Sequence, residues 1–174
     1  RAQGITNSVI DFRYNGGGLV STAELMGDLL GANRSASDVF SVTRFRASKA
    51  SNNSTRRFVP QPQSVAPVKV AFITTNATAS ASELVMNSFI PYLGVDAALI
   101  GSNTYGKPVG QIALDQAACD DRIRVVAFAT ENSAGQAGYF SGLANTMRTT
   151  CAAPDDIARP LGDPAEASLR SALD

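Results

Sequence analysis

Histidine does not occur anywhere in this 174-residue sequence. That absence excludes a Ser-His-Asp triad, a Cys-His dyad and any imidazole metal site. Proton transfer would fall to a carboxylate, lysine, tyrosine or cysteine. Charge of one sign is also missing, because 15 basic residues balance 15 acidic ones. No global field therefore points to nucleic acid or an anionic membrane. No apolar run approaches the length of a bilayer-spanning helix. Cysteine is scarce, at two residues. What is present suits a soluble α/β domain: 44% hydrophobic and 17% charged residues, enough for one sizeable core. The chain starts at Arg1 rather than methionine, so it is expected to be a mature or excised piece of something longer.

Charge is unevenly distributed. Arg44, Arg46, Lys49, Arg56, Arg57 and Lys69 fall between Val39 and Ser82 with no acidic residue among them, which reads as a solvated hairpin face. The stretch 39–59 predicts one or two strands with a polar tip over 50–55. Pro60, Pro62 and Pro67 then form an extended connector.

The centre of the pattern is Asn76-Ala-Thr-Ala-Ser-Ala-Ser-Glu83. Val68–Ile73 before it is a buried strand by composition, and Leu84, Val85 and Phe89 after it recur at helical spacing. A hydroxyl at such a junction faces free backbone N–H groups and the positive end of the helix dipole. Ser80 is thus a candidate nucleophile. Ser80-Ala-Ser-Glu83 is equally a capping box, which calls for no chemistry.

Two more loops follow strands. Ser8–Phe12 reads as a short buried strand ending in Arg13-Tyr-Asn-Gly-Gly-Gly18. Tripled glycine permits positive φ, close approach or an anion-binding turn, although its spacing fits neither a dinucleotide fingerprint nor a Walker loop. Ser21-Thr-Ala-Glu24 predicts a capped helix closed by Gly31. The helix after Ser80 should stop or kink near Pro91. Ala97–Ile100 is a strand, followed by the loop 101–111 carrying Lys107. Arg122–Thr130 is a strand, and Pro164–Leu173 a terminal helix with Pro164 in its first turn. In open α/β sheets such loops gather at one edge. A serine, a lysine and clustered N–H groups there would make a hydrolase without histidine.

Asp11–Gly18, Thr78–Glu83 and Thr104-Tyr-Gly-Lys107 with Gln111 resemble, in this order, motifs of the C-terminal processing (tail-specific) serine peptidases. The resemblance implies an α/β fold with a crotonase/ClpP-like spiral core, here truncated at its N-terminus and without a PDZ domain, residues 1–174 forming a single catalytic core. It implies Ser80 as nucleophile, Lys107 as general base and Gln111 as the residue orienting that lysine. The backbone amides of Gly17 and Ala81 would be the oxyanion donors, and Ser82 is the neighbour that does not match. Pro108 stands where the family usually has glycine. The resemblance further implies export (periplasmic, outer-membrane-associated or extracellular), a polypeptide substrate, and no cofactor or metal. Tyr105, Pro108 and Val109 flank Lys107 with apolar surface, and a base must be neutral to accept a proton.

Cys119 and Cys151 are expected to pair as a disulfide, the alternative being two free thiols. Closing a loop of that size would add about 3–4 kcal/mol in the chain-entropy model. Two other functional readings fit the residues: a ligand-binding module of the same fold, like the retinoid carriers, and a structural α/β domain in which Ser80 only caps a helix.

Overall fold

The computed structural model describes residues 4–174; Arg1, Ala2 and Gln3 lie outside the described residues. Two four-stranded sheets build the molecule. The first is parallel, in the order β1 (Asn7–Asp11), β4 (Lys69–Thr74), β5 (Ala97–Gly101), β8 (Thr149–Ala152). The second is antiparallel, in the order β3 (Ser54–Arg57), β2 (Val39–Phe45), β7 (Asp121–Glu131), β6 (Val109–Gln116). Three helices complete it: α1 (Val20–Leu30), α2 (Ala81–Leu93) and α3 (Ala167–Leu173).

Helix α2 is the hub. Its residues 82–90 are all buried, the signature of a helix enclosed on every side. It touches α1, β2 and β7 of the antiparallel sheet, and β5 of the parallel one. Its own Met86 and Phe89 join Phe40, Phe58 and Phe72 in the core, each at most 2% exposed. Burying a side chain of this size stabilises by about 1.5–3 kcal/mol relative to leaving it in water. Phe58 is the pivot, with Phe40, Phe89 and Tyr92 meeting its ring edge-on at 5.4–5.7 Å.

β1, β4 and β5 are adjacent and parallel, so the segments following them, 12–19, 75–80 and 102–108, leave one edge of the sheet together. The basic stretch forms the expected hairpin, β2 and β3 joined by a 3₁₀ turn over Ala47–Asn52. Arg44 pairs with Glu131, and Arg56 with Glu24 and Asp28.

Three expectations are corrected. Helix α1 starts at Val20 with Leu19 as its N-cap and no side-chain cap, so Ser21-x-x-Glu24 is not a capping box; Glu24 turns to Arg56 instead. Helix α2, by contrast, stops at Leu93, near Pro91 as expected. The terminal helix begins at Ala167, capped by Glu166, and Pro164 lies outside it. Cys119 and Cys151 are free, exposed thiols: Cys119 sits in the turn between β6 and β7, while Cys151 lies in β8 of the other sheet. The expected disulfide is absent.

Candidate active site

The three loops are stitched to one another by specific hydrogen bonds. Thr78 Oγ1 donates to the Phe12 and Arg13 carbonyls at 2.6 and 3.2 Å, and Thr75 Oγ1 donates to Arg13 O. The Ala79 N–H and the Ser82 hydroxyl both donate to Asn15 O at 3.1 Å. Ser82, 3% exposed, is thereby occupied in holding the glycine loop. The third loop joins through Tyr105 N–H, which donates to Thr78 O at 2.9 Å.

Ser80 sits at the N-cap of α2 with φ 58° and ψ −113°. Only one other described non-glycine residue, Asp120, has positive φ. Such a backbone costs energy for a residue with a Cβ and persists only where its surroundings hold it. One holder is Glu83, which accepts the Ser80 N–H at 2.8 Å, the carboxylate half of the predicted capping box. Another is Gly17, at φ 104°, where a Cβ would come within 2.6 Å of Ser80 Cβ and 2.9 Å of Ala81 N. The glycine loop therefore presses its bare backbone onto the start of α2. Close approach, one of the uses left open for tripled glycine, is realised at its second glycine.

A cavity of about 410 Å³ opens there. Its lining includes Ser80, Ala81, Lys107, Gln111, Arg124 and Thr130. The fold thus brings three candidate side chains from α2's N-terminus, the loop after β5 and strand β6 into one space. Gln111 stands on β6, beside a bulge between Gly110 and Gln111, rather than in a loop. Gly110 is pinned under the Phe128 ring, where a Cβ would meet Cζ at 2.0 Å. A second cavity, of about 420 Å³, adjoins it through Gly18, Leu19 and Ala81, with Phe12, Met26 and Val85 as apolar lining.

The two proposed oxyanion donors differ in state. Ala81 is the first residue of α2, where amides have no intrahelical acceptor. The Gly17 N–H donates to Asn15 Oδ1 at 2.9 Å, so an oxyanion reaching it must displace that side chain.

Glu83 has further partners that the sequence pattern did not indicate. It is fully buried and also accepts the N–H groups of Gly106 and Lys107, both at 2.8 Å. No acidic residue lies near Lys107 in sequence; the fold supplies one from α2. Tyr139 is buried too, and among the described residues its hydroxyl has no hydrogen-bond partner. Burial pushes its phenol well above the ordinary tyrosine range; Thr130 offsets this in part, and the charge of Glu83 adds to it.

Comparison with known proteins bears on the fold and the family. The chain matches parts of larger solved structures. An S41 protease from Bacteroides fragilis matches at TM-score 0.84 and 25% identity, over 99% of this chain and 45% of that one. The photosystem II D1 C-terminal processing protease matches at TM-score 0.64 and 20% identity, over 87% and 36% of the two chains. A lipoprotein from Streptococcus agalactiae matches at TM-score 0.57 and 17% identity, over 76% and 46%. No curated protein sequence matches significantly. The chain spans less than half the length of each of these structures. The expected mixed α/β fold is that of S41 protease structures. The model of peptidase family S41 matches residues 1–147, and the chain belongs to that family.

Proposed function

We propose that residues 1–174 form the catalytic core of an exported serine endopeptidase working through a Ser80–Lys107 dyad. The observation that carries this reading is the position of Ser80. It is held at positive φ at a helix N-terminus and lines the same cavity as Lys107 and Gln111. Membership of a peptidase family supports hydrolysis of peptide bonds.

The chemistry follows from these groups. Ser80 Oγ attacks the scissile carbonyl carbon while Lys107, as the neutral amine, takes the hydroxyl proton. The tetrahedral oxyanion is held by Ala81 N–H, and by Gly17 N–H once Asn15 Oδ1 has moved away. As the C–N bond breaks, Lys107 returns the proton to the leaving amine and an acyl-enzyme on Ser80 remains. Water then attacks that ester and loses its proton to Lys107; as the acyl C–Oγ bond breaks, Lys107 returns the proton to Ser80 Oγ and the carboxylic acid product leaves. Gln111 orients the amine of Lys107. The apolar cavity beside Ala81 suits an uncharged substrate side chain next to the cleaved bond.

The direct test is to trap the acyl-enzyme. Acid-quenched reactions with an unstructured polypeptide, digested and weighed by mass spectrometry, should show the acyl adduct on the peptide carrying Ser80. An adduct on another residue, or hydrolysis undiminished in Ser80→Ala, would refute the dyad.

A further inference from the structure

We infer that Glu83 is a positioning residue of this site: its buried carboxylate holds the nucleophile's backbone and the base's backbone together. This rests on the Ser80–Lys107 reading and deepens it. Glu83 Oε2 accepts two N–H groups at 2.8 Å each, those of Ser80 and Lys107. One oxygen thus fixes the separation between the backbones of the two residues that exchange a proton. Oε1 accepts the N–H of Gly106 at 2.8 Å, anchoring the lysine loop a second time.

Helix capping accounts for only one of these three bonds. The other two reach 23 and 24 residues along the chain, where a cap has no function. A carboxylate suits the task, because it is acceptor-only and can take several N–H groups at once. A glutamine cannot replace it in either orientation of its amide. One end always presents an NH₂ to a buried N–H, and leaving buried donors unpaired is costly. The loop so held has little freedom on its other side. A Cβ on Gly106 would meet Phe140 O at 2.4 Å and Gly142 N at 2.6 Å. The lysine loop is therefore clasped between the carboxylate and the 140–142 backbone, so Lys107 departs from Ser80 only if Glu83 lets go.

The test compares wild type, Glu83→Gln, Glu83→Asp, Ser80→Ala and a control, Val70→Ala, in steady-state hydrolysis of fluorescein-labelled casein. Folding is checked by circular dichroism and Tm. Val70 is buried in β4, so its truncation lowers stability with no link to the two loops. The expected result is a folded Glu83→Gln with kcat down 100-fold or more and KM within threefold, while Val70→Ala keeps its kcat at a comparable Tm. Glu83→Asp, which keeps the charge but not the reach, should show the same split. A folded Glu83 variant with kcat within threefold of wild type overturns the inference. So does a loss that Val70→Ala reproduces at equal Tm, or a failure of both Glu83 variants to fold, since Glu83 would then be purely structural. If wild type shows no Ser80-dependent hydrolysis, the dyad reading is what fails. The tie itself is then read by hydrogen exchange in Glu83→Gln. Faster exchange confined to the Ser80, Gly106 and Lys107 amides supports it, and unchanged exchange there overturns it.

Discussion

Gly17 and Ser80 meet so closely that a single carbon added to the glycine would lie 2.6 Å from Ser80 Cβ. The neighbours it would strike are mostly backbone, Ala79 O and Ala81 N at 2.9 Å, which cannot swing aside as a flexible side chain would. Gly17→Ala is therefore strained twice, by contact and by a φ of 104°. The expected outcome is about 1–3 kcal/mol of lost stability and at least a 100-fold fall in kcat, measured by thermal unfolding beside steady-state kinetics. Gly18, with open space at its Cβ position, should tolerate alanine with a smaller loss.

On the proposed reading, Ser80 and Ser82 divide chemistry from architecture. Ser80→Ala should leave a folded protein without peptidase activity. Ser82→Ala removes the hydroxyl that bonds Asn15 O, so it should cost about 1 kcal/mol and reduce turnover only in part. Parallel measurement of kcat and urea midpoint for both variants checks the division. Equal activity losses in the two would count against Ser80 as nucleophile.

Lys107 can act as base only as the neutral amine. Lys107→Ala should abolish turnover, and Lys107→Arg should do the same, because arginine keeps its charge and its proton. Gln111→Ala should slow turnover less than either. Steady-state turnover of the four proteins decides the matter, and near-wild-type turnover in Lys107→Arg would remove lysine as the base.

Acid sensitivity should come from the opposite side of the glycine loop. Arg13 is buried between Asp11 and Glu166, with Asp155 at the rim. Burial pushes the Asp11 carboxyl up, but hydrogen bonds and charge from Arg13 outweigh it and hold it low. Burial likewise raises Glu166, and the Leu169 and Ser168 N–H groups with Arg13 hold it below its usual value. A carboxyl lowered in the folded state stabilises fully above its unfolded pKa, about 3.9 for Asp and 4.3 for Glu. That stability is lost as pH falls through the folded value. The urea midpoint should therefore be level from pH 7 to about pH 5 and fall below about pH 4. Glu166→Gln should start less stable at pH 7 and fall less steeply in acid.

Much of this site could be read from local sequence because its parts announce themselves locally. Glycines and hydroxyls at the ends of apolar runs mark loops after strands, and three adjacent parallel strands bring such loops together. What stayed hidden depends on distant partners. Glu83 looks like half of a capping box until the fold delivers Gly106 and Lys107 to it. The engagement of Gly17 by Asn15 is short in sequence, but it follows from a turn geometry that residue types do not specify. Strand β8, Thr149-Thr-Cys-Ala152, is mostly exposed and polar, so it lacks the apolar signature that marked β4 and β5. Gln111 looked like a loop residue because Gly110 and Pro108 interrupt the pattern at the start of β6. The disulfide expectation failed for a related reason: a count of two cysteines carries no information about distance, and these two belong to different sheets.

The parallel pairing of β1, β4 and β5 also bears on how the protein acquires activity during folding. Asn7 aligns with Lys69, and Val70 with Ala97, so each pairing closes a chain segment tens of residues long before any loop bond can form. Such topologies have high contact order and fold slowly. The first two loops gain their mutual bonds only once β1 and β4 have paired, and the third joins them only once β5 has paired as well. On the proposed reading, a nascent or partly refolded chain would carry Ser80, Lys107 and Gln111 and yet be inert, with hydrolysis returning in one late step together with the last of the native tertiary signal.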